Sequence, residues 1–189
     1  MVKIWCQKLS ENRSYNPNFP IDRDLGFEWR QYLFANKSIP FSKLSFKISE
    51  DIIDNDFLEG ESIPIVSEKI RNILIEEVSE FVDFYPVSIF DGSKQVNTKK
   101  LYVIKIKNEV SCFDWDKSDY EVCNLTSGVK EILAVNNLIL IEDKIKDQLI
   151  FKVSEFNGFL VGVREDLCKK ILDSEAKGIE FKDMNEILM

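Results

Sequence analysis

The chain has 189 residues, of which 25 are Lys or Arg, 33 are Asp or Glu and none is His, so its net charge is −8. Without an imidazole, the chain cannot build Ser-His-Asp or Cys-His nucleophiles or the zinc sites that need His. With 44% hydrophobic and 12% aromatic residues, it has the composition of a globular protein with a sizeable core.

The acidic balance also bears on the choice of partner. Nucleic-acid binding depends on a dense patch of Lys and Arg, so we expect no nucleic-acid partner. A net charge of −8 favours a basic partner protein, because opposite charges speed encounter. A negative charge that only keeps the protein soluble is an equally open interpretation.

The lack of an export signal and the spacing of the cysteines both predict a cytoplasmic protein. Lys3, Gln7 and Lys8 interrupt the N-terminal stretch before an export signal can develop. No segment approaches the roughly 20 apolar residues of a membrane span, so we expect no membrane partner. The four cysteines lack Cys-x-x-Cys spacing, which favours reduced thiols without a metal or cofactor. They are Cys6, Cys112, Cys123 and Cys168.

Residues 1–60 carry the weakest patterns, and we expect them to join the same fold as an α+β domain over 61–189. Their predicted elements are a strand over 3–9, a loop over 12–20, a short helix around Trp29 to Leu33, a strand over 44–48 and an acidic, turn-like stretch over 50–61.

An amphipathic helix begins after Ser67. Its hydroxyl is placed to cap the first turn, and Glu68 complements the helix dipole. Ile70, Leu74 and Val78 then recur at helical spacing, with Ile73 beside them. This pattern predicts a helix with one buried face.

Two strands are predicted next, over 84–90 and 101–107, as the arms of a hairpin. In the second, Tyr102, Ile104 and Ile106 share one face, while Lys105 and Lys107 lie on the other. That alternation predicts one core face and one wetter face, as in an antiparallel sheet.

The C-terminal third continues the mixed pattern. Strands are predicted over 139–142, 149–156 and 159–163, with a hairpin turn at Asn157-Gly158, a helix over 165–174 and a closing strand over 179–181 after Gly178. Leu167, Cys168, Ile171 and Leu172 form the apolar stripe of that helix. The predicted class is α+β, a largely antiparallel mixed sheet packed by a few amphipathic helices.

The most conspicuous polar group follows the strand predicted over 110–113. It comprises Asp114, Trp115, Asp116, Lys117, Ser118, Asp119, Tyr120 and Glu121. Its alternating oxygen ligands are similar to the start of a calcium loop, but Asp119 and Leu125 stand where such a loop needs Gly and Glu. A turn in which Asp and Ser bond local N–H groups is the favoured interpretation.

Three functions stay open for this turn and for the chain. Aromatic anchors ringed by charges are typical of protein interfaces, which makes Asp114, Trp115, Asp116, Ser118, Asp119 and Tyr120 candidate partner-binding residues. The alternative is a small enzyme or a ligand- or ion-binding domain that uses Asp114, Asp116 and Ser118. A purely structural subunit with an exposed sheet edge is the third.

Several stretches resemble one family. They are Ile63 to Ile70, Glu80 to Val87, Tyr102 to Ser118, Leu149 to Lys152 and Gly178 to Phe181, and the most specific is the Cys-x-Asp-x-x-x-Ser pattern of Cys112, Asp114 and Ser118. In order and pattern they resemble the immunity proteins of bacterial polymorphic toxin systems. The resemblance implies an antidote, monomeric or homodimeric, that binds and neutralises a cognate toxin. It also implies that the protein needs neither catalysis nor a cofactor.

Overall fold

The computed structural model describes residues 1–8, 18–20, 45–47, 54–60, 63–91, 94–95, 99–124, 130–156 and 160–187. Helices and mixed, mainly antiparallel sheets make the protein α+β, as the sequence predicts. The helix predicted around Trp29 to Leu33 and the turn at Asn157-Gly158 lie outside the described residues.

The described elements follow in chain order. The strands are β1 Val2–Gln7, β2 Asn18–Pro20, β3 Ser45–Lys47, β4 Phe57–Gly60, β5 Ile63–Ser67, β6 Val82–Asp91, β7 Lys94–Gln95, β8 Leu101–Ile106, β9 Glu109–Val110, β10 Asp119–Asn124, β11 Lys130–Asn137, β12 Ile150–Val153, β13 Val161–Arg164 and β14 Ile179–Lys182. The α-helices are α1 Glu68–Val78, α2 Glu142–Ile145 and α3 Glu165–Asp173.

Contacts divide the chain into two compact units. The first unit holds residues 1–6, 108–168 and 181–189, and the second holds 7–107 and 169–180. The sequence predicts a different division, between a weakly patterned region over 1–60 and an α+β domain over 61–189. That division stays a prediction.

The second unit is built on one sheet with the strand order β2-β3-β6-β8-β5-β4, to which β7 adds by pairing with β6. Strands β6 and β8 pair antiparallel from Val82 opposite Ile106 to Val87 opposite Leu101, which confirms the predicted hairpin arms. Helix α1 buries Ile70, Leu74 and Val78, as the periodicity predicts. It contacts β5, β6 and β8.

Strand β8 corrects the prediction of a wetter face. Lys105 is only 6% exposed, and Leu101 and Val103 on the same face are also buried. The reason is position, since β8 lies between β6 and β5 inside the sheet. Its neighbour Lys107 does reach outward, where it pairs with Asp83 at 3.0 Å.

Two further predictions for this unit were wrong. Residues 18–20, predicted as loop, form β2, and residues 57–60, predicted as turn, form β4. Strand β4 pairs antiparallel with β5 and buries Phe57 and Leu58, so tertiary packing overrides the acidic composition around it. Ser67 lies at the N-cap of α1, but its hydroxyl makes no capping bond.

A buried carboxylate ties together separate segments of the second unit. Asp56, 5% exposed, accepts the backbone N–H of Lys177 at 2.9 Å and the Lys99 ammonium at 3.1 Å. Burial by itself raises the pKa of this carboxyl, but the Lys177 N–H and Lys99 outweigh it and hold the pKa below the usual value. Asp56 is therefore ionised within the fold.

The first unit contains a five-stranded sheet with the order β14-β1-β13-β12-β9. Strands β12 and β13 pair antiparallel, as predicted for the arms of the second hairpin. The core beside them includes Val2, Ile4, Cys112, Phe113, Val135, Leu138, Leu140, Ile145, Phe151, Val153, Phe156, Leu160 and Ile187.

A two-stranded ribbon of β10 and β11 belongs to the same unit. Its register shifts twice, and Leu133 is the extra residue at one shift, between Ile132 opposite Val122 and Ala134 opposite Glu121. The strand predicted over 139–142 was wrong. Leu140 makes a single bridge to Phe113, and Glu142 begins α2.

The apolar stripe of helix α3 agrees with the prediction except at one residue. Leu167, Cys168 and Ile171 are buried, but Leu172 is 48% exposed. The helix ends at Asp173 and not at Gly178, so the prediction of Gly178 as its stop was wrong; Gly178, whose φ of +77° suits glycine, lies directly before strand β14.

Candidate partner-binding site

The candidate residues form a turn fastened to the segment that follows the ribbon. The N–H of Asp114 donates to the carbonyl of Ile139 at 2.9 Å, and the N–H of Ile141 donates to Cys112 at 2.7 Å. These bonds flank the bridge between Phe113 and Leu140. The entry to the turn is therefore held by backbone pairing.

Asp114 organises the turn from within. One carboxylate oxygen accepts the backbone N–H groups of Asp116 and Lys117, each at 3.2 Å, and the other lies 3.1 Å from the Lys117 ammonium. The bond from Lys117 is the main cause that lowers the pKa of Asp114. A general acid needs a raised pKa, so this carboxylate is suited to holding the loop.

Ser118 closes the turn through its hydroxyl. The Oγ donates to the carbonyl of Ile139 at 3.1 Å and accepts the N–H of the same residue at 3.1 Å. Its own N–H donates to the carbonyl of Asp114 at 2.9 Å. One side chain thus bonds both the N–H and the carbonyl of Ile139.

The cysteine of the Cys-x-Asp-x-x-x-Ser pattern is part of the core. Cys112 is fully buried, and burial raises the pKa of its thiol to about 12. A thiol with that pKa is almost entirely protonated at neutral pH and is a poor nucleophile. All three residues of the pattern therefore build the turn: Cys112 anchors it, Asp114 folds it and Ser118 closes it.

Aromatic rings support the exposed side of the turn. Trp115 packs edge-on against Phe113 at 4.8 Å between ring centroids and against Tyr120 at 5.3 Å. Phe113 in turn contacts Tyr120 and the buried Phe156. Trp115 is nevertheless 37% exposed, so a ring fixed by its neighbours still presents surface to solvent.

Sequence comparison identifies the family. Residues 16–186 match the immunity protein family Imm11. The chain belongs to the Imm11 immunity protein family. The predicted resemblance to immunity proteins is thereby confirmed, and membership implies a cognate toxin as partner.

The comparisons also find a distant enzyme. The chain is 28% identical over 126 residues to a probable cobalt-precorrin-6B C(15)-methyltransferase (decarboxylating) from Sulfurisphaera tokodaii. The match covers 67% of this chain and 64% of the methyltransferase, so it spans less than two thirds of that protein.

The six predicted partner-binding residues of this Imm11 protein divide into two groups. Asp114, Ser118 and Tyr120 are at least partly buried and give the turn its shape. Trp115, Asp116 and Asp119 are exposed, beside the exposed Lys117. The structure thus brings all six together in the turn and the first two residues of β10, and it leaves three of them accessible to a partner.

Leu133 is an exposed residue that sequence reasoning missed. It lies at a register shift of β11 and is 60% exposed. The alternation of Tyr120 and Val122 with Asp119 and Glu121 was a signal for β10. The apolar run around Leu133 gave no indication that one of its members faces solvent.

The described residues contain neither a cluster of metal ligands nor a helix that could span a membrane. Within them, His, Cys, Asp and Glu side chains nowhere gather in a group of three or more that could hold a metal ion. The carboxylate of Asp114 is instead directed at two N–H groups and a lysine. The helices of that same part of the chain lack the length and apolarity needed to cross a bilayer.

Proposed function

We propose that this Imm11 protein neutralises its toxin by covering part of the toxin's surface, and that the turn over residues 114–120 lies at the centre of the contact. The family match over residues 16–186 carries the proposal. The turn adds a shaped, rigid surface on which an exposed aromatic ring stands among charged side chains.

Trp115 has the properties of an interface anchor. Its ring is held by Phe113 and Tyr120, so binding costs little additional ordering of the side chain. Tryptophan is enriched among residues that dominate binding energy, and charged neighbours such as Asp116 and Asp119 form a polar rim around it. A stable complex needs about 800 Å² from each partner, so residues beyond the turn also take part.

The net charge of −8 indicates a basic toxin domain. Opposite net charges raise the association rate and orient the two proteins before contact. The protein acts in the cytoplasm, where its four cysteines stay reduced, and it works without catalysis. Cys112 supports this last point, because burial raises the pKa of its thiol to about 12 and makes it a poor nucleophile at neutral pH. The Asp114 carboxylate is already engaged by two N–H groups and Lys117.

The direct experiment uses the purified chain and the toxin domain encoded by the adjacent gene. Stoichiometric inhibition of the toxin, with a stable complex by light scattering, is the expected result. A toxin that stays fully active in the presence of micromolar immunity protein contradicts the proposal.

A group-transfer enzyme is the second candidate, favoured only by the distant methyltransferase match. A methyl donor bound to the folded state must raise the melting temperature. We expect S-adenosylmethionine at millimolar concentration to leave the melting temperature unchanged. A rise of several degrees with S-adenosylmethionine that methionine at the same concentration does not produce would support the enzyme instead.

A further inference from the structure

A cavity of about 380 Å³ lies in the first unit next to the N-terminus. Its apolar wall includes Val2, Leu140 and Ile145, which are buried, and the half-buried Met184. This volume is at the lower end of the range for small-ligand pockets, and it leaves ample room for one long side chain.

The cations of the cavity wall already have carboxylate partners. Arg164 donates two bonds to Asp166, at 2.9 and 2.7 Å, which lower the pKa of Asp166 to about 2. The Lys146 ammonium lies 3.2 Å from Asp143. The amino group of Met1 lies 3.8 Å from Glu165.

Glu142 differs from these groups. It belongs to the same wall, and its side chain is exposed at the start of α2. Within the described part of the chain, its carboxylate forms no ion pair with a lysine, an arginine or the amino terminus. The cavity thus combines an apolar wall with one carboxylate that has no cation beside it.

We infer that this cavity, hereafter the socket, receives a lysine or arginine side chain of the toxin. The methylene stem of that side chain packs against Val2, Leu140 and Ile145, and its cationic head pairs with Glu142. Long cationic side chains carry this combination of an apolar stem and a charged tip. The inference rests on the proposed function, because it takes the toxin as the occupant.

The socket is continuous with the turn through one backbone segment. Leu140 lines the socket and is bridged to Phe113, while the preceding Ile139 is held by Ser118. A toxin that inserts a cation here therefore meets a wall that the turn itself fixes in place. This is the second contact that a complex of stable size requires.

The test measures affinity and dissociation rate of the full chain with its toxin for three variants. Glu142→Gln removes the charge at nearly constant shape, and Met184→Phe fills part of the cavity. Asp147→Asn is the matched control, because Asp147 is also an exposed carboxylate that does not line the cavity and acts on the wall residue Arg164 only through its charge. Thermal melting of each variant alone shows that it is folded.

Glu142→Gln is expected to raise Kd about tenfold or more, mainly through faster dissociation, and Met184→Phe to raise it similarly. Asp147→Asn is expected to stay within about threefold, since it alters only long-range attraction. Equal effects of Glu142→Gln and Asp147→Asn overturn the socket, and so does wild-type affinity in a folded Met184→Phe variant.

Two other outcomes separate this inference from the proposed function. If the wild-type chain fails to bind the toxin at all, the proposed function fails and the socket falls with it. If the wild-type chain alone forms a dimer that Glu142→Gln dissociates, the occupant is a second copy and the socket for the toxin is overturned.

Discussion

Ser118 is the residue on which the shape of the turn depends most. Replacing it with alanine removes both bonds to Ile139 and leaves the N–H of that half-buried residue without its partner, while the carbonyl keeps the Asp114 N–H. We expect Ser118→Ala to lower the free energy of unfolding by about 1–3 kcal/mol, measured by urea denaturation. Ser111→Ala is the control, because the Ser111 hydroxyl is exposed and bonds only Glu155. A loss no larger than that of the control would show that Ser118 does not close the turn.

Asp56 gives the second unit a defined pH dependence. Its pKa is lower in the folded protein than in the unfolded chain, so the stabilisation it provides is present above about pH 4 and is lost as pH falls through the folded value. We expect Asp56→Asn to cost about 1–3 kcal/mol at pH 7, and the difference from wild type to shrink below pH 4.

Urea denaturation at pH 7, 5 and 3 measures this effect. The control is Asp143→Asn, since Asp143 is 91% exposed beside Lys146 and should contribute at most about 0.5 kcal/mol. A difference between Asp56→Asn and wild type that persists undiminished at pH 3 contradicts the assignment.

At the level of single residues, the local hydrogen bonds of short polar side chains were more predictable than the burial of a side chain. The short polar side chains of Asp114 and Ser118 indicated a turn held by local bonds, and the structure shows those bonds. The burial of Lys105 could not be predicted, because it depends on which strands flank β8. For Trp115, the residue type suggested an interface anchor, but the ring contacts that fix it could not be predicted.

Among the elements, the β12–β13 pair contains a position with too little room for a side chain larger than that of glycine. Gly162 lies directly opposite Phe151, and a Cβ there would come within 3.0 Å of three atoms of the Phe151 ring. We expect Gly162→Ala to destabilise the protein by about 1–3 kcal/mol through overpacking. Urea denaturation of the single and double variants measures it.

Phe151→Leu supplies the matching half of a double-mutant cycle. The smaller side chain makes room for the new methyl group, so the double variant should be more stable than the sum of the single losses by at least about 0.5 kcal/mol. Strict additivity would mean that the ring does not occupy the space beside Gly162.

Periodicity explains which elements were predictable. Helix α1 and strands β6 and β8 have long patterns of period 3.6 or 2, and the structure confirms them. Strand β4 is short and lies in an acidic stretch, and its pairing with β5 depends on tertiary contacts. The strand predicted over 139–142 was wrong, because a short apolar run does not distinguish a strand from a single bridge followed by a helix.

At the scale of the whole molecule, family and charge point to one mode of action. Membership of the Imm11 family implies a toxin partner, and our proposal that this toxin is basic rests on the charge of −8. Composition excluded chemistry that depends on His. It could not locate the contact surface, because residues distant in sequence assemble both features. The bond from Ser118 to Ile139 spans 21 positions, and the socket combines Val2 with Met184.

The affinity of Trp115→Ala for the cognate toxin tests the central claim most directly. Ile75→Ala is the matched control, since Ile75 is 39% exposed and Trp115 37%. With both variants shown to be folded by thermal melting, Trp115→Ala is expected to weaken binding about thirtyfold or more, and Ile75→Ala by less than about threefold. Wild-type affinity and full toxin inhibition by Trp115→Ala would contradict the account.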